Sequence, residues 1–258
     1  MQTLTAKAKN IIGQPLYYYK TIDSTNSKAT ELAEKGAMEG TIVQADQQTA
    51  GKGRLQRKWE SPAGRGLWFS LILRPKIDPQ YGAQATLLTA VALVEALKNS
   101  TGITCQIKWP NDILIKGKKL AGILSEMRLS GEQIDYIVIG IGLNVDLGRE
   151  DFGEILSTIA SSVYLETGKQ CNREKILEAI LKSMGKWYNI WQETGFERVR
   201  ERWLASNCTI GRVVKVKDQD KELFSGLAID IDDYGCLLVK SRDGITKKFD
   251  FGEISIRN

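Results

Sequence analysis

Five short segments of the sequence carry residue types at spacings that could do chemistry. The first is Gln47-Gln48-Thr49-Ala50-Gly51-Lys52-Gly53-Arg54-Leu55-Gln56-Arg57-Lys58-Trp59. Its glycines allow the backbone to approach an anion closely, and Lys52, Arg54, Arg57 and Lys58 cluster their charges beside it, the composition of a phosphate cradle. It is not a Walker A loop, because Gly53 stands where that motif needs Ser or Thr and Asp46 replaces the leading glycine. The second segment is Lys108-Trp109-Pro110-Asn111-Asp112, and the third, beyond a turn, is Lys119-Leu120-Ala121-Gly122. Pro110 ends a strand. Lys108 and Lys119, read as lying on paired strands, flank Asp112. That grouping suits a site handling phosphate, with the carboxylate holding a metal or orienting a nucleophile. The fourth, Gly140-Ile141-Gly142-Leu143-Asn144, lacks the third glycine and the following helix of a dinucleotide fingerprint, but small residues let a ligand approach a strand. The fifth is Asp23-Ser24-Thr25-Asn26, a natural helix cap. Taken singly, each has an ordinary alternative: a flexible basic surface loop, a hairpin with surface charges, a strand, a cap.

Composition narrows the chemistry. The chain of 258 residues contains no histidine, so Ser-His-Asp triads, Cys-His pairs and imidazole-ligated zinc are excluded. Cys105, Cys171, Cys208 and Cys236 are widely spaced and form no C-x-x-C, which points to reduced core residues rather than metal or redox work. The net charge of +5 is mild and concentrates in one loop. The first ten residues, MQTLTAKAKN, lack the apolar run of a signal peptide, and stretches such as 136–145 are too short to span a bilayer. The expected location is cytoplasmic, with no membrane association.

The elements that must position these segments follow from periodicity and turn residues. Strands are expected over 16–22, 41–45, 67–73, 105–109, 112–115, 120–128 and 136–145. Helices are expected over 26–35, 84–98 and 172–203, the last broken at Gly195. Residues 46–66 hold almost no aliphatic side chain, so they are expected to form one long functional loop. A hairpin turns at Lys116 to Lys118 with Gly117 at its tip. From Cys208 to Arg257 short strands alternate with the turns Lys217-Asp218-Gln219-Asp220, Asp232-Asp233-Tyr234-Gly235 and Arg242-Asp243-Gly244, the pattern of a small SH3-like β-barrel. The expected class is α+β: a mixed-sheet domain over residues 1–206, then a β-barrel over 207–258.

Together, D-S-T-N, Q-x-A-G-K-G-R-x-x-R-K-W, K-W-P-N-D, K-L-A-G and G-I-G-L-N, in that order, closely resemble the biotin–protein ligases. The resemblance runs from about Tyr17 to the C-terminus and includes Gly235 and Phe251-Gly252-Glu253-Ile254-Ser255 of the barrel. It implies a catalytic domain of the biotin/lipoate ligase type. It also implies the reaction: ATP activates biotin to biotinyl-5′-AMP, and biotin then passes to a lysine of an acceptor such as a biotin carboxyl carrier domain. By the same resemblance, Ser24, Thr25, Asn26 and Gln48 hold biotin. Lys52, Gly53, Arg54 and Lys119 hold its carboxylate and the α-phosphate. Arg54, Arg57, Trp59, Lys108, Asn111 and Asn144 serve ATP, which arrives with Mg²⁺; no side chain is assigned as a metal ligand of its own. Lys119 and Arg54 are the expected catalytic cations, and Asp112 is expected to orient the acceptor amine or take its proton.

The absence of histidine then has a reason, since a biotin carboxylate is already ionised at neutral pH and needs no base. The loop is expected to fold over the labile adenylate. Two positions depart from the family pattern: Lys52 where many members have Arg, and Leu55-Gln56 where some have Arg-Gly. Too few residues precede the first family strand for a helix-turn-helix, so the type without a DNA-binding domain is expected, and no DNA partner. Family members include monomers and homodimers, and both states stay open. The nearest alternative, beside other acyl-adenylate ligases, is a lipoate–protein ligase, which typically shows an R-R-x-S-G-G-G type loop and a histidine motif; this chain has neither. A basic nucleic-acid-binding protein would need its charge along a face rather than in one loop.

Overall fold

The computed structural model describes residues 12–218, 221–250 and 252–256. The chain begins with strand β1 (Leu16–Ile22), helix α1 (Thr25–Glu34), β2 (Ile42–Gln48) and β3 (Gly66–Leu73). Helix α2 (Gln84–Thr101) leads into β4 (Gln106–Lys108), β5 (Asp112–Ile115), β6 (Lys118–Ser130) and β7 (Gln133–Asn144). Two short helices, α3 (Leu156–Ile159) and α4 (Val163–Thr167), precede the long α5 (Arg173–Thr194) and α6 (Glu197–Ser206). Strands β8 (Val213–Asp218), β9 (Lys221–Ile231), β10 (Leu237–Lys240), β11 (Thr246–Phe249) and β12 (Glu253–Ile256) complete it.

The first seven strands form one mixed sheet in the order β1-β2-β3-β7-β6-β5-β4, parallel only between β1 and β2. α2 and α5 cover one face of this sheet, where Leu67, Phe69, Leu71, Ile139, Ile141 and Leu143 join their apolar sides in the main core. On the other face α1 packs Ala29 and Ala33 against Val43, Ile72 and Val138. That small cluster covers only part of the second face and leaves the rest for other use. Gly102, in the left-handed region at φ 78°, closes α2, as a helix C-terminus favours.

Most expected elements are present, with three differences. β2 continues through Gln48, because Thr21 and Ile22 of β1 pair with Gln47 and Gln48 and extend the ladder into polar sequence. Gln48 is thus strand-borne rather than part of the loop. The expected pairing of the strands bearing Lys108 and Lys119 is indirect: β5 lies between β4 and β6. The helices α3 and α4 were not expected, being too short to show a helical period. Gly195 does separate α5 from α6, and Lys116 and Gly117, both at positive φ, form the hairpin turn. Cys105 and Cys236 are buried as anticipated, whereas Cys171 and Cys208 are half-buried. Burial pushes the Cys105 thiol up to about 12.

The C-terminal strands make the expected small SH3-like module, a five-stranded antiparallel sheet in the order β11-β10-β9-β8-β12. Val214, Val216, Ala228, Ile231, Leu237 and Val239 are its buried side. The turns at Asp232–Gly235 and Arg242–Gly244 are where they were expected. The turn at 217–220 and the F-G-E-I-S motif fall partly outside the described residues, at Gln219, Asp220 and Phe251. No helix among the described residues is long and apolar enough to cross a membrane.

One joint fastens this module to the large sheet. Trp109 is buried; its backbone N–H donates to Thr209 Oγ1 at 3.0 Å and its indole N–H to the Gly235 carbonyl at 3.1 Å. The Cys208 N–H donates to the Ile107 carbonyl, and Tyr81 stacks on Tyr234 with centroids 5.4 Å apart. Replacing the fully buried Thr209 by the isosteric Val would leave the Trp109 N–H without an acceptor. Thr209→Val is expected to cost about 1–3 kcal/mol, read as a shift of the urea unfolding midpoint.

Candidate active site

Strand alternation builds the floor of the site. With Leu67, Phe69 and Leu71 of β3 turned to α2 and α5, Trp68, Ser70 and Ile72 face the opposite side. In β7 the same rule turns Ile139, Ile141 and Leu143 to the helices and Gly140, Gly142 and Asn144 to the other face. The register aligns Trp68, Gly142 and Gly122 in one row across β3, β7 and β6, and Ser70, Gly140 and Leu124 in the next. Two of these glycines have no room for a side chain. A Cβ on Gly140 would lie 1.9 Å from Asn26 Oδ1, and one on Gly142 would lie 2.4 Å from Trp59 Nε1. The G-I-G-L-N signal therefore marks a floor on which side chains from other segments rest.

A cavity of about 550 Å³ stands on this floor, within the range of small-molecule sites. It is lined by Ser24, Thr25, Asn26, Gln48, Lys52, Gly53, Arg54, Arg57, Trp59, Lys108, Asn111, Asp112, Lys119 and Asn144, every residue expected from the sequence to bind or catalyse. A larger recess of about 910 Å³ lies on the outer side of the 49–58 loop, bounded by α2 and reaching Asp250. It contains none of Ser24, Thr25, Asn26, Asp112 or Lys119, so the smaller cavity is where the predicted groups converge.

One end of the cavity is polar and buried. Ser24 caps α1, its Oγ accepting from the Ser27 N–H at 3.4 Å. The Thr25 N–H donates to Gln48 Oε1 at 2.8 Å, and Thr25 Oγ1 lies 3.0 Å from the same oxygen. Gln48 Nε2 donates to Ser61 Oγ, which fixes the direction of its amide. Ser70 Oγ lies 2.8 Å from Thr25 Oγ1 and 2.6 Å from Asn26 Oδ1, while Asn26 Nδ2 donates to Glu126 Oε2 at 2.7 Å.

The middle is cationic. Lys119 Nζ sits 2.6 Å from Asp112 Oδ1 and 5.2 Å from the centroid of the Trp59 ring. The glycine-rich loop is a closed hairpin: Lys52 pairs with Lys58, and the Gly53 N–H donates to the Arg57 carbonyl at 2.6 Å. Its tip residues Leu55 and Gln56 both have left-handed φ, 53° and 60°, which a Gly in that place would adopt without strain. Arg54 reaches across to donate to Asn111 Oδ1 at 3.2 Å, and Asn111 Nδ2 donates to the Ile123 carbonyl at 2.8 Å. The loop and the W-P-N-D turn thus meet over the cavity. The Trp59 indole N–H is buried here against Gly142 without an acceptor, an uncommon state.

The far end is apolar, lined by Leu147, Phe152, Leu156 and Ile159. Leu147 and Phe152 cluster with Trp68, whereas Leu156 and Ile159 remain 39% and 57% exposed. This wall was not read from the sequence, nor were Ser61, Ser70 and Glu126. Its only signal was an apolar scatter after β7, and lone polar residues inside strands carry no signal at all. The wall is clamped to the site: the Ser161 N–H donates to the Lys119 carbonyl, and Asn144 Nδ2 to the Ser161 carbonyl at 3.0 Å.

Glu166 locks the same segment by accepting from Ser161 Oγ at 2.7 Å and pairing with Lys116 at 2.9 Å. Burial alone would raise its carboxyl, but the bonds from Lys116 and Ser161 outweigh that and hold it below its ordinary 4.5. A lowered folded-state value means that ionised Glu166 stabilises the fold. That stability is complete above pH 4.5 and lost as pH falls through the lower folded value. The stability difference between wild type and Glu166→Gln is expected to be constant at neutral pH and to shrink on acidification below 4.5, measured by urea titrations at each pH.

Comparison with known proteins agrees with this geometry. Residues 18–144 match the biotin/lipoate A/B protein ligase family, and residues 209–257 match the biotin protein ligase C terminal domain. The bifunctional ligase/repressor BirA of Bacillus subtilis is 42% identical over 92% of this chain and 73% of its own length. The biotin–[acetyl-CoA-carboxylase] ligase of Paracoccus denitrificans is 35% identical over 86% of this chain and 92% of its own. The structure of biotin protein ligase from Aquifex aeolicus in complex with biotin and ATP superposes with a TM-score of 0.79 at 31% identity, covering 95% of this chain and 99% of that one. Motifs, fold and relatives place this chain in the biotin/lipoate A/B protein ligase family, on its biotin–protein ligase branch.

Proposed function

We propose that this chain activates biotin with ATP to biotinyl-5′-AMP, releasing pyrophosphate, and transfers the biotinyl group to a lysine of an acceptor protein. The observation that carries this reading is a single cavity joining a hydrogen-bonding end at Ser24 and Thr25 to a cluster of cations at Lys119 and Arg54. The Ser24 oxygen accepts from the α1 backbone, so its proton is available to a ligand carbonyl. The Thr25 hydroxyl lies against two wall oxygens, Gln48 Oε1 and Ser70 Oγ, which draw its proton away from the cavity and leave a lone pair for a ligand N–H. A carbonyl beside an N–H is the ureido group of biotin. A lipoyl dithiolane offers neither and would leave the Ser24 proton and the free Thr25 lone pair unmatched.

In the first step a biotin carboxylate oxygen bonds to the α-phosphorus of ATP and the bond to pyrophosphate breaks. The nucleophile is already ionised, so the burden is negative charge on phosphate and leaving group. Lys119, Arg54, Lys52 and Arg57 meet it. Lys108, Asn111, Asn144 and Trp59 serve the nucleotide, and the apolar wall of Leu147, Phe152 and Leu156 takes its base. Among the described residues no three Asp, Glu, Cys or His side chains converge on one point, so Mg²⁺ fits here as a companion of the phosphates, where it supplies charge neutralisation.

In the second step the acceptor lysine nitrogen bonds to the biotinyl carbonyl, AMP leaves, and the amine loses its proton. Asp112 is the carboxylate for that proton: once Lys119 turns to phosphate, the partner it holds at 2.6 Å is released. The acceptor is a carboxylase biotin-carrier domain and the compartment is the cytoplasm, where ATP and such acceptors meet. ATP with biotin is expected to release pyrophosphate, and ATP with lipoate at the same concentration to release little; release with lipoate alone would overturn the reading. For Asp112→Asn, transfer from preformed biotinyl-5′-AMP is expected to fall about a hundredfold, typical of a positioned base, with a much smaller change in pyrophosphate release. Equal losses in the two steps would remove the role limited to transfer.

A further inference from the structure

We infer that Glu126 is a specificity-positioning residue: it sets the hydrogen-bond polarity of the closed end of the cavity through Asn26 and Ser70. The inference rests on the reading that Thr25 accepts an N–H of biotin.

The argument is one of proton counting. A carboxylate only accepts, so the Asn26 group 2.7 Å from Glu126 must be its NH₂, and its carbonyl must face Ser70. Ser70 has one proton, and Asn26 Oδ1 at 2.6 Å takes it. Ser70 Oγ then has no proton for Thr25 Oγ1, 2.8 Å away, and the single Thr25 proton is shared between Ser70 Oγ and Gln48 Oε1. Donation runs away from Thr25 on both branches, to Gln48 and through Ser70 and Asn26 to Glu126, where it ends on a charge. The Thr25 lone pair is left for the ligand. Were Asn26 flipped, its NH₂ would donate to Ser70, the Ser70 proton would turn to Thr25, and one of the two lone pairs of the Thr25 oxygen would be taken up inside the wall, leaving a weaker acceptor for biotin.

Geometry keeps the relay in place. Ser70 is fully buried and Asn26 is 4% exposed. Asn26 rests on Gly140, which the register sets directly between Ser70 of β3 and Leu124 of β6. Glu126 lies two residues beyond Leu124 on the same face of β6. It is exposed and contacts no reacting group, so it acts only through Asn26.

The test uses the full-length protein with biotin and ATP and three variants, with thermal melting as a check of folding. Glu126→Leu is expected to raise the KM for biotin about tenfold, with kcat and the KM for ATP changed less than twofold, the loss of one charge-assisted bond. Asn26→Asp, which faces Glu126 with a second carboxylate, is expected to raise the biotin KM at least as much. Combining Asn26→Asp with Glu126→Gln restores the relay, because the β6 side chain then donates through its amide and the carboxylate on α1 accepts from both sides; the biotin KM should return to within about threefold of wild type. A double variant no better than Asn26→Asp, or an unchanged biotin KM in Glu126→Leu, would overturn the inference. A wild type that uses biotin but shows either outcome leaves the proposed function standing, whereas a wild type inert with biotin removes that function itself. If Glu126→Leu does not fold, the comparison of Asn26→Asp with its double variant decides alone.

Discussion

A strand has two faces, and in β3 and β7 the helices α2 and α5 claim one of them with Leu67, Phe69, Leu71, Ile139, Ile141 and Leu143. Everything else at the site depends on that constraint. A slip of one residue would turn Gly140 and Gly142 into the core and push isoleucines into the cavity. With the register fixed, the second face has a shallow lane where the floor has no side chains. Trp59 and Asn26 settle into that lane from the loop and from α1, and what remains above them is the ligand volume.

The groups around this volume come from segments that hold one another rather than from a single rigid element. Arg54 of the loop is tied to Asn111, and Asp112, next in sequence, holds Lys119. Trp109, just before the turn, is pinned by Thr209 and Gly235 of the C-terminal module. The cationic centre is therefore sensitive to packing more than one segment away, and the C-terminal module supports the turn that carries Asn111 and Asp112. Electrostatics alone would drive four loop cations apart. The backbone pairs of the loop hairpin and the Arg54 to Asn111 bond keep them on one side of the cavity.

Much of this was legible in the residues. Apolar runs bounded by turn residues located the central strands, Gly195 marked the break between two helices, and the five motifs supplied every residue that the resemblance assigns to the site, all of which line the cavity. What was not legible has physical reasons. Gln47 and Gln48 look like loop because pairing with β1, not their own propensity, makes them strand. Helices α3 and α4 are too short to express a period. Ser70 and Glu126 are single polar residues in strands; their importance arises from partners in α1 and appears only when the chain is folded. Trp59, by contrast, was visible as part of a motif, but not the fact that it needs Gly142 beneath it.

The alignment of Ser70 with Gly140 and of Trp68 with Gly142 also bears on how the molecule assembles. Strands β4 to β7 follow one another through short turns and can pair locally, but β3 must find β7 across the whole intervening chain, including α2. Loop-closure entropy is largest for such a pairing, and it is met only when the helix-side core can form at the same time. The cavity floor straddles this seam. A chain that has closed its local hairpins but not the seam has all the residues of the site and none of the site, so binding competence requires this long-range pairing.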